Sequence, residues 1–457
     1  LNSTLNSYLK RLLFLVTGNF NRHGTNHLAT WFVPLIGHSK DPEEGGMTTQ
    51  VTKTREIAKV YPPNVLAQEI DNDDPKRLRA LFVDSCNPIV NWVDTKAQKK
   101  AYKKLDIMVV VDVTMTETAK VADYILPASN QFEKYESAFF TENFYHLRKP
   151  IFEPLEGTLS EPEIYTRLIK AMGAMEGLDL GELAEAAKQE MQTPGKGIFQ
   201  GAFMQASMKS PELSKISAVA LRETLGKAMP DGAENAAFVW FAAQLYANKY
   251  PDAIRNAGIE GKGGVLGNVI FDKILNSPSG IQLSKHDYSD LWKLLKTKDK
   301  KVNLHIPELL EDWLLKLPAV LEGQVTLERD YPFNLIAGER RSYNANTIIN
   351  HHEWRKKDKE GFLKINPEDA QEHSIEEGDA VELTSSSGSI KILATITDEV
   401  KSGIMSMPHG HGMDYGENRS YKEVGAAVNM LTDANYCDPL AKTPYHKNVR
   451  VRLKKVS

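Results

Sequence analysis

The hydrophobic residues near the start of the chain recur at the spacing of a helix. In order, they are Leu5, Leu9, Leu12, Leu13 and Val16. Intervals of three and four residues put them on one face, so residues 3–16 are predicted to form an amphipathic helix that faces a core. Gly18 follows at a position where glycine commonly ends a helix. Residues 38–76 carry the runs Asp-Pro-Glu-Glu-Gly-Gly and Pro-Pro, which predict an irregular connection.

From residue 79 onward, short apolar runs alternate with polar segments. In order, the pattern predicts a strand at 80–83, a polar helix at 94–104, a strand at 107–111, a short helix at 116–122 and a strand at 124–126. Strands that alternate with helices at this spacing indicate parallel βαβ units. The strands are apolar without interruption, which indicates a sheet that is covered on both faces.

The rest of the chain divides into a helical part and a part with strands. Residues 160–330 are rich in helical patterns, of which 182–191 and 235–248 are clear examples. Further on, hydrophobic and polar residues alternate, which is the period of a strand. This pattern predicts a strand at 333–337 and a hairpin across the Ser-Ser-Ser-Gly turn at 385–388. Several strands with one or two short helices predict a compact β-barrel domain.

The composition is that of a globular protein, with 41% hydrophobic and 25% charged residues among 457. The net charge of −4 argues against a nucleic-acid scaffold, which would carry a basic face. No apolar run approaches 18 residues, so no membrane span is expected. The two cysteines, Cys86 and Cys437, are too few for a zinc or iron–sulfur site of their own. Few cysteines and many lysines suit the cytoplasm, which is the expected location.

Polar residues follow the carboxyl ends of the predicted parallel strands, the edge at which open α/β sheets bind ligands. Asn87 follows the first strand, and Asp112 and Thr116 follow the second. The Asp112 carboxylate can accept hydrogen bonds from ribose hydroxyls or guanine nitrogens. Thr116 can donate to a phosphate at a helix start. A purely structural alternative remains, because Thr114 and Glu117 have the spacing of a capping box and Asn87 precedes a proline in a turn.

A second group of candidates lies in the run 336–347, Ile-Ala-Gly-Glu-Arg-Arg-Ser-Tyr-Asn-Ala-Asn-Thr. An arginine fork matches the oxygens of a pyrophosphate. The candidate ligand-binding residues of this run are Gly338, Arg340, Tyr343, Asn346 and Thr347. The alternative is a solvated arginine pair that follows a strand.

The last candidates are Asn429 and Lys447, in the run 427–449. The Asn429 amide can both donate and accept hydrogen bonds at the edge of a heterocyclic ring, and Lys447 offers a compact cation for a phosphate. His409 and His411 are spaced as a possible metal pair, but the sequence supplies no third ligand beside them, so no metal site is predicted.

These segments, in this order, resemble the molybdopterin-guanine-dinucleotide oxidoreductases, the family of formate dehydrogenases, nitrate reductases and dimethyl sulfoxide reductase. The run 112–119 reads Asp-Val-Thr-Met-Thr-Glu-Thr-Ala, and Ala-Asp-Tyr-Ile-Leu-Pro follows at 122–127. The run 427–449 resembles the family's closing signature. Residues 15–24, Leu-Val-Thr-Gly-Asn-Phe-Asn-Arg-His-Gly, are similar to the family's Leu-x-Thr-Gly-Asn-x-Gly-Arg-x-Gly. The resemblance covers 1–170 and 331–457 well, and the helical middle poorly.

The resemblance implies an α/β fold in four parts. Residues 1–76 would be the tail of an incomplete upstream α/β domain with a connection, and 77–170 a parallel-sheet half-domain that binds a molybdopterin dinucleotide. Residues 171–330 would form a helix-rich insertion and linker. Residues 331–457 would form a second dinucleotide-binding domain, a double-psi β-barrel that resembles aspartate decarboxylase.

The function implied by the resemblance is two-electron redox of a small substrate at molybdenum or tungsten held by bis-molybdopterin guanine dinucleotide. A formate-dehydrogenase-like activity is favoured. The family's metal ligand and [4Fe-4S] cluster precede the segments found here, so the chain resembles the C-terminal part of an enzyme and is expected to be inactive alone. Its expected partners are its own N-terminal domains, a small-molecule substrate and an electron-transfer partner. Cys86 matches a strand-end turn and is not the expected metal ligand.

A competing interpretation is a structural or electron-transfer subunit without molybdenum. The large iron–sulfur subunit of respiratory NADH dehydrogenase shares the fold in this way. In such a relative the pterin-contacting loops would have decayed. Here the loops around Thr116, Gly338 and Asn429 keep the family's residues, which favours the enzyme.

Overall fold

The computed structural model describes residues 2–26, 30–33, 37, 39–139, 143–193, 196–230, 232–319, 330–339, 361–413 and 419–456. The chain folds as two compact units. The first unit comprises residues 1–13, 36–125 and 303–457, and the second comprises 14–35 and 126–302. Within the described ranges, no helix is both long enough and apolar enough to cross a membrane. The cytoplasmic location and the four-part division stay predictions.

The described α-helices include α1 (Ser3–Val16), α2 (Leu66–Ile70), α3 (Pro88–Asn91), α4 (Thr95–Tyr102), α5 (Glu161–Ala171), α6 (Gly181–Gln192), α7 (Ile198–Lys209), α8 (Pro211–Lys215), α9 (Ser217–Leu221), α10 (Ala237–Lys249), α11 (Pro251–Asn256), α12 (Gly264–Asn276), α13 (Pro367–Glu372) and α14 (Tyr421–Val424). The strands are β1 (Ala80–Asp84), β2 (Ile107–Asp112), β3 (Tyr124–Pro127), β4 (Glu136–Phe139), β5 (Phe144–Arg148), β6 (Ile281–Gln282), β7 (Phe333–Glu339), β8 (Leu363–Ile365), β9 (Ala380–Thr384), β10 (Ser389–Ile396), β11 (Ile404–Pro408) and β12 (Val449–Lys455).

The predicted parallel βαβ arrangement is confirmed in the first unit. Strands β1 and β2 pair in parallel from Ala80–Ile107 to Asp84–Val111, with α3 and α4 between them in the chain, and β3 completes the sheet in the order β1-β2-β3. The short helix predicted at 116–122 is confirmed only in part, because a 3-10 helix forms at Ala119–Val121. The chain enters β3 at Tyr124, which leaves no room for a second helical turn.

One face of this sheet is buried, and the other is covered in part by the described residues. Val83, Met108 and Val110 are buried and belong to one core cluster with α2 and α4 residues. On the other face, Phe82 keeps 43% and Ile107 40% of its surface exposed, whereas Val109 is half-buried and Val111 is 1% exposed. Cover on both faces, which the uninterrupted apolar strands predict, stays a prediction for the exposed part of this face.

The predicted β-barrel is confirmed. Six strands close in the order β10-β8-β11-β7-β12-β9. The predicted hairpin joins β9 and β10, which pair antiparallel from Thr384–Ser389 inward. Alternate residues point into the barrel, so Val381 and Leu383 are fully buried between exposed or half-buried neighbours.

The helix predicted at residues 3–16 forms as α1, and Gly18 follows it with a φ of +67°. The prediction that its apolar face lies against a core holds only at Leu5, which packs with Leu309 and Trp313. Leu9 and Leu13 are 41% and 59% exposed. The helix starts at a distant cap: the buried Asp438 carboxylate accepts hydrogen bonds from the Ser3 hydroxyl at 2.8 Å and the Thr4 N–H at 2.7 Å.

The second unit is mostly helical, as predicted for residues 160–330. Helices α6 and α10 cover the two predicted examples. Strands β4, β5 and β6 add a small antiparallel sheet, with Glu136 opposite Arg148 and Phe144 opposite Gln282. Aromatic side chains fill the core, and Phe199 packs edge to face on Trp240 with ring centroids 5.2 Å apart.

Candidate functional site

Asn87, at the end of β1, ties together the turns that follow the two parallel strands. It is 6% exposed, and its Oδ1 accepts hydrogen bonds from the Thr118 N–H at 3.2 Å and the Thr118 hydroxyl at 2.7 Å. Its Nδ2 lies 3.4 Å from the Met413 sulfur. The side chain is thus committed within the protein, and it fixes the shape of the sheet edge.

Asp112 stands at the end of β2 with its carboxylate half-buried. Its Oδ1 accepts hydrogen bonds from the Val113 N–H at 2.7 Å and the Thr114 N–H at 3.3 Å. Burial raises the pKa of Asp112 against the effect of these donors, and nearby Asp84 raises it further. Burial also raises the pKa of the Cys86 thiol, with Asp112 as the second cause.

Thr116 is also turned inward. It is 6% exposed, and its hydroxyl oxygen accepts a hydrogen bond from the Ala119 N–H at 3.1 Å. This bond caps the 3-10 turn. The capping box considered for Thr114 and Glu117 is therefore not the arrangement seen, and the Glu117 carboxylate instead accepts a hydrogen bond from the Lys120 ammonium at 3.2 Å.

At the end of β7, Gly338 joins the barrel to the candidate loop. Its φ is +76°, and a Cβ added there would lie 3.4 Å from the His409 ring. The Lys447 ammonium donates hydrogen bonds to the carbonyl oxygens of Gly338 at 3.0 Å and Ala337 at 3.3 Å. Two of the predicted residues, Gly338 and Lys447, are therefore brought together by the fold. Arg340, Tyr343, Asn346 and Thr347 lie outside the described residues.

Two histidines flank this point. Burial lowers the pKa of His409, and a hydrogen bond with the Asn91 backbone offsets only part of the effect. Burial also lowers the pKa of His446 to about 4, with His409 and Lys447 as further causes. Both imidazoles are therefore neutral at pH 7, beside the Lys447 ammonium.

Asn429 is wholly buried and links the barrel to α3. Its Nδ2 donates a hydrogen bond to the Val90 carbonyl at 2.7 Å and lies 3.4 Å from His409 Nε2. The Thr432 hydroxyl donates to Asn429 Oδ1 at 3.2 Å. The predicted residue is thus close to Gly338 and Lys447 through His409, but its amide is turned into the protein.

A basic cleft of about 460 Å³ opens between the sheet edge and the barrel. Four cations from segments far apart in the chain line it, namely Lys99, Lys120, Lys391 and Arg419. One acid, Glu117, also lines it and forms an ion pair with Lys120 at 3.2 Å. Gly412 forms part of its wall, where a Cβ would lie 2.3 Å from the Ala427 nitrogen. Sequence reasoning missed all four cations, since each reads as an ordinary surface residue. Across the described ranges, no group of three acidic, histidine or cysteine side chains could hold a metal ion.

Comparison with known families agrees with this architecture. Residues 11–171 match the model described as molybdopterin oxidoreductase, and residues 333–450 match the molydopterin dinucleotide binding domain. The chain belongs to the molybdopterin oxidoreductase family, as its resemblance predicted. The basic cleft takes two cations from each matched segment.

Two of the similar proteins are named for redox reactions, and one solved structure is a hydratase. The chain is 25% identical to the F420-dependent formate dehydrogenase subunit alpha of Methanocaldococcus jannaschii, over 85% of this chain and 45% of that protein. It is 24% identical to the trimethylamine-N-oxide reductase of Haemophilus influenzae, over 78% and 39%. The chain thus spans less than half the length of these relatives. The solved acetylene hydratase from Pelobacter acetylenicus overlaps 87% of this chain and 47% of its own, with a TM-score of 0.49 and 17% identity.

Proposed function

We propose that this chain binds bis-molybdopterin guanine dinucleotide, with molybdenum or tungsten, in an enzyme that oxidises or reduces a small substrate by two electrons. The observation that carries the proposal is the basic cleft, to which both family-matched segments contribute cations. A guanine dinucleotide carries a pyrophosphate, and a cleft with four cations and one acid, Glu117, keeps the net positive charge that such a ligand requires.

The residues at hand fit this cofactor. Lys99, Lys120, Lys391 and Arg419 would hold phosphate oxygens. Asp112, half-buried at a strand end, offers an acceptor for guanine or ribose, the usual role of an acidic group at that edge. Arg340, Tyr343, Asn346 and Thr347 would extend the contacts from the loop that follows Gly338.

The buried candidates would act through the loops they hold. Asn87 and Thr116 fix the two strand-end turns, and Asn429 fixes the barrel against α3. Lys447 would hold the peptide of Gly338 in place. When bound, the metal and its dithiolenes supply the electron chemistry, and these residues bind and orient the cofactor.

Formate is the favoured substrate, because a formate dehydrogenase subunit is among the relatives matched over most of this chain. We further propose that the barrel has the double-psi arrangement, a suggestion supported by its parallel pairings of β10 with β8 and β11 with β7. The metal ligand, a [4Fe-4S] cluster and an electron-transfer partner would belong to other parts of the complete enzyme.

The test is to express the full-length protein in a host that makes the cofactor and to purify it. Metal analysis and the GMP released by acid hydrolysis should give about two GMP per metal atom. A substrate screen that begins with formate then tests the activity. Folded protein with neither metal nor GMP would favour the alternative, a structural or electron-transfer subunit.

A further inference from the structure

The second unit carries an apolar surface on the solvent side of two of its helices, α7 and α10. Four of the five side chains in this surface are exposed, and the fifth, Phe241, is half-buried. The Phe203 ring joins the two helices, because its centroid lies 6.1 Å from that of Phe241. This surface, the outer face, consists of Met204 and Met208 on α7 and of Phe238, Phe241 and Leu245 on α10.

Helix α10 lacks the polar stripe that a surface helix normally turns to water. From Ala237 to Ala247 it has no charged residue, and its polar side chains, those of Trp240, Gln244 and Tyr246, are buried. The solvent side is left to the outer face, whose α10 residues recur at the three- and four-residue intervals of one helical stripe. A contiguous apolar surface of this kind marks an interaction site.

The outer face lies outside both family-matched segments, the first of which ends at residue 171 and the second of which begins at residue 333. Other exposed apolar side chains, such as those of Leu13 and Phe82, lie inside the first matched segment. The outer face therefore belongs to the helical insertion and not to the segments matched to dinucleotide binding.

Two lysines border the outer face. Lys249 follows Leu245 by one helical turn, and Lys209 directly follows Met208 at the end of α7. Both lysines are exposed, and neither forms an ion pair with any residue that the structure describes. Their positive charge is thus available to a ligand.

The acids nearest to the outer face along the chain do not cancel this charge. Glu212 already forms an ion pair with Lys215 at 2.9 Å. Glu234 is half-buried beside Tyr135, since burial of the phenol and the Glu234 charge both raise the pKa of Tyr135. The outer face therefore combines apolar side chains with a positive border.

We propose that the outer face binds the surface of a membrane that contains anionic lipids. The apolar side chains would enter the headgroup boundary, and Lys209 and Lys249 would lie at the lipid phosphates. The outer face offers a protein partner no strong hydrogen-bonding group, whereas protein interfaces form about one hydrogen bond per 100–200 Å². Lysine is also depleted in protein interfaces but common beside anionic membrane surfaces. The inference does not depend on the proposed function.

The test is co-sedimentation of the full-length protein with vesicles of phosphatidylcholine alone and of phosphatidylcholine mixed with phosphatidylglycerol. The wild-type protein should bind the mixed vesicles at least about tenfold more tightly, since each lysine near an anionic surface contributes about 1 kcal/mol. Added salt should weaken this preference. Lys209→Gln with Lys249→Gln should lower the affinity for mixed vesicles to about that for phosphatidylcholine.

A second pair of variants tests the apolar part of the outer face. Phe238→Ser with Leu245→Ser should weaken binding to the mixed vesicles at least about tenfold, because less apolar surface enters the bilayer. Phe152→Ser with Leu155→Ser is the matched control, since it removes the same two residue types from exposed positions of the same unit. This control should bind as the wild-type protein does.

Equal binding of the wild-type protein to both kinds of vesicle would overturn the proposal. A control variant that loses as much affinity as Phe238→Ser with Leu245→Ser would overturn it as well. Folded wild-type protein that binds neither vesicle would leave the outer face to a protein partner or to another part of the same chain, and would also overturn the proposal. If the serine variant does not fold, the comparison of the two vesicles with the wild-type protein still decides the question.

Discussion

The edge of the parallel sheet and the end of the barrel carry the same kind of predicted residue but are assembled differently. At the sheet edge, Asn87 and Thr118 are 31 positions apart, and their bonds join two consecutive strand-end turns. At the barrel end, Gly338 meets His409 and Lys447, and Asn429 reaches Val90 across 339 positions. One arrangement is local, and the other is made from four segments of the chain.

This difference explains which parts of the site were predictable. The strands β1 and β2 and their end residues follow from apolar runs and turn chemistry, which are local signals. The strand β7 and the β9–β10 hairpin were predictable for the same reason. Lys391 and Arg419 have no local signal as ligand-binding residues, because only the fold brings them beside Lys99 and Lys120 in the cleft.

The direction in which the buried side chains point could not be predicted from the sequence either. Asn87 and Asn429 have the amide chemistry that a cofactor contact needs, and the family resemblance singled out both positions. Asn87 is 6% exposed and Asn429 is 0% exposed. This burial comes from tertiary packing, which a local sequence pattern does not predict. The helical unit shows the same limit, since the wholly buried Glu190 reads as one more acid on an amphipathic helix.

The largest expected effect tests the long-range link at the barrel end. Asn429→Ala should lower the free energy of unfolding by about 2–3 kcal/mol, because it leaves the buried Val90 carbonyl without its donor. The exposed Asn435 provides the control, and Asn435→Ala should cost less than about 0.5 kcal/mol. Chemical denaturation measures both. Similar values for the two variants would mean that the buried amide does not organise this end of the barrel.

A smaller effect is expected where β7 leaves the barrel. Gly338→Ala should cost about 1–2 kcal/mol from its positive φ, because the added Cβ would make only an ordinary contact with the His409 ring at 3.4 Å. Gly403 is the matched control, because its φ is +79° and nothing lies within 4 Å of an added Cβ. Thermal unfolding of both variants should show similar losses, because the positive φ is common to both positions. The account of this junction fails if Gly338→Ala is not destabilising.

The smallest effect at neutral pH concerns His446. Its folded pKa of about 4 lies below the ordinary 6.5, so the unfolded chain takes up a proton first as the pH falls. The free energy of unfolding should therefore decrease between pH 6.5 and about 4, and the decrease should be shallower in His446→Gln. Denaturation curves across this range measure the slope. Parallel pH profiles for the two proteins would exclude a buried neutral imidazole.

The central claim is that two distant family segments build one cleft for an anionic dinucleotide. The direct test is the GMP content of the complete protein, purified from a cofactor-making host, after the double substitution Lys391→Glu and Arg419→Glu. Lys401→Glu with Lys454→Glu is the control, since both lysines are exposed and do not line the cleft. The account predicts folded protein whose GMP falls to background only in the cleft variant. Retention of the full wild-type GMP content in that variant would contradict it.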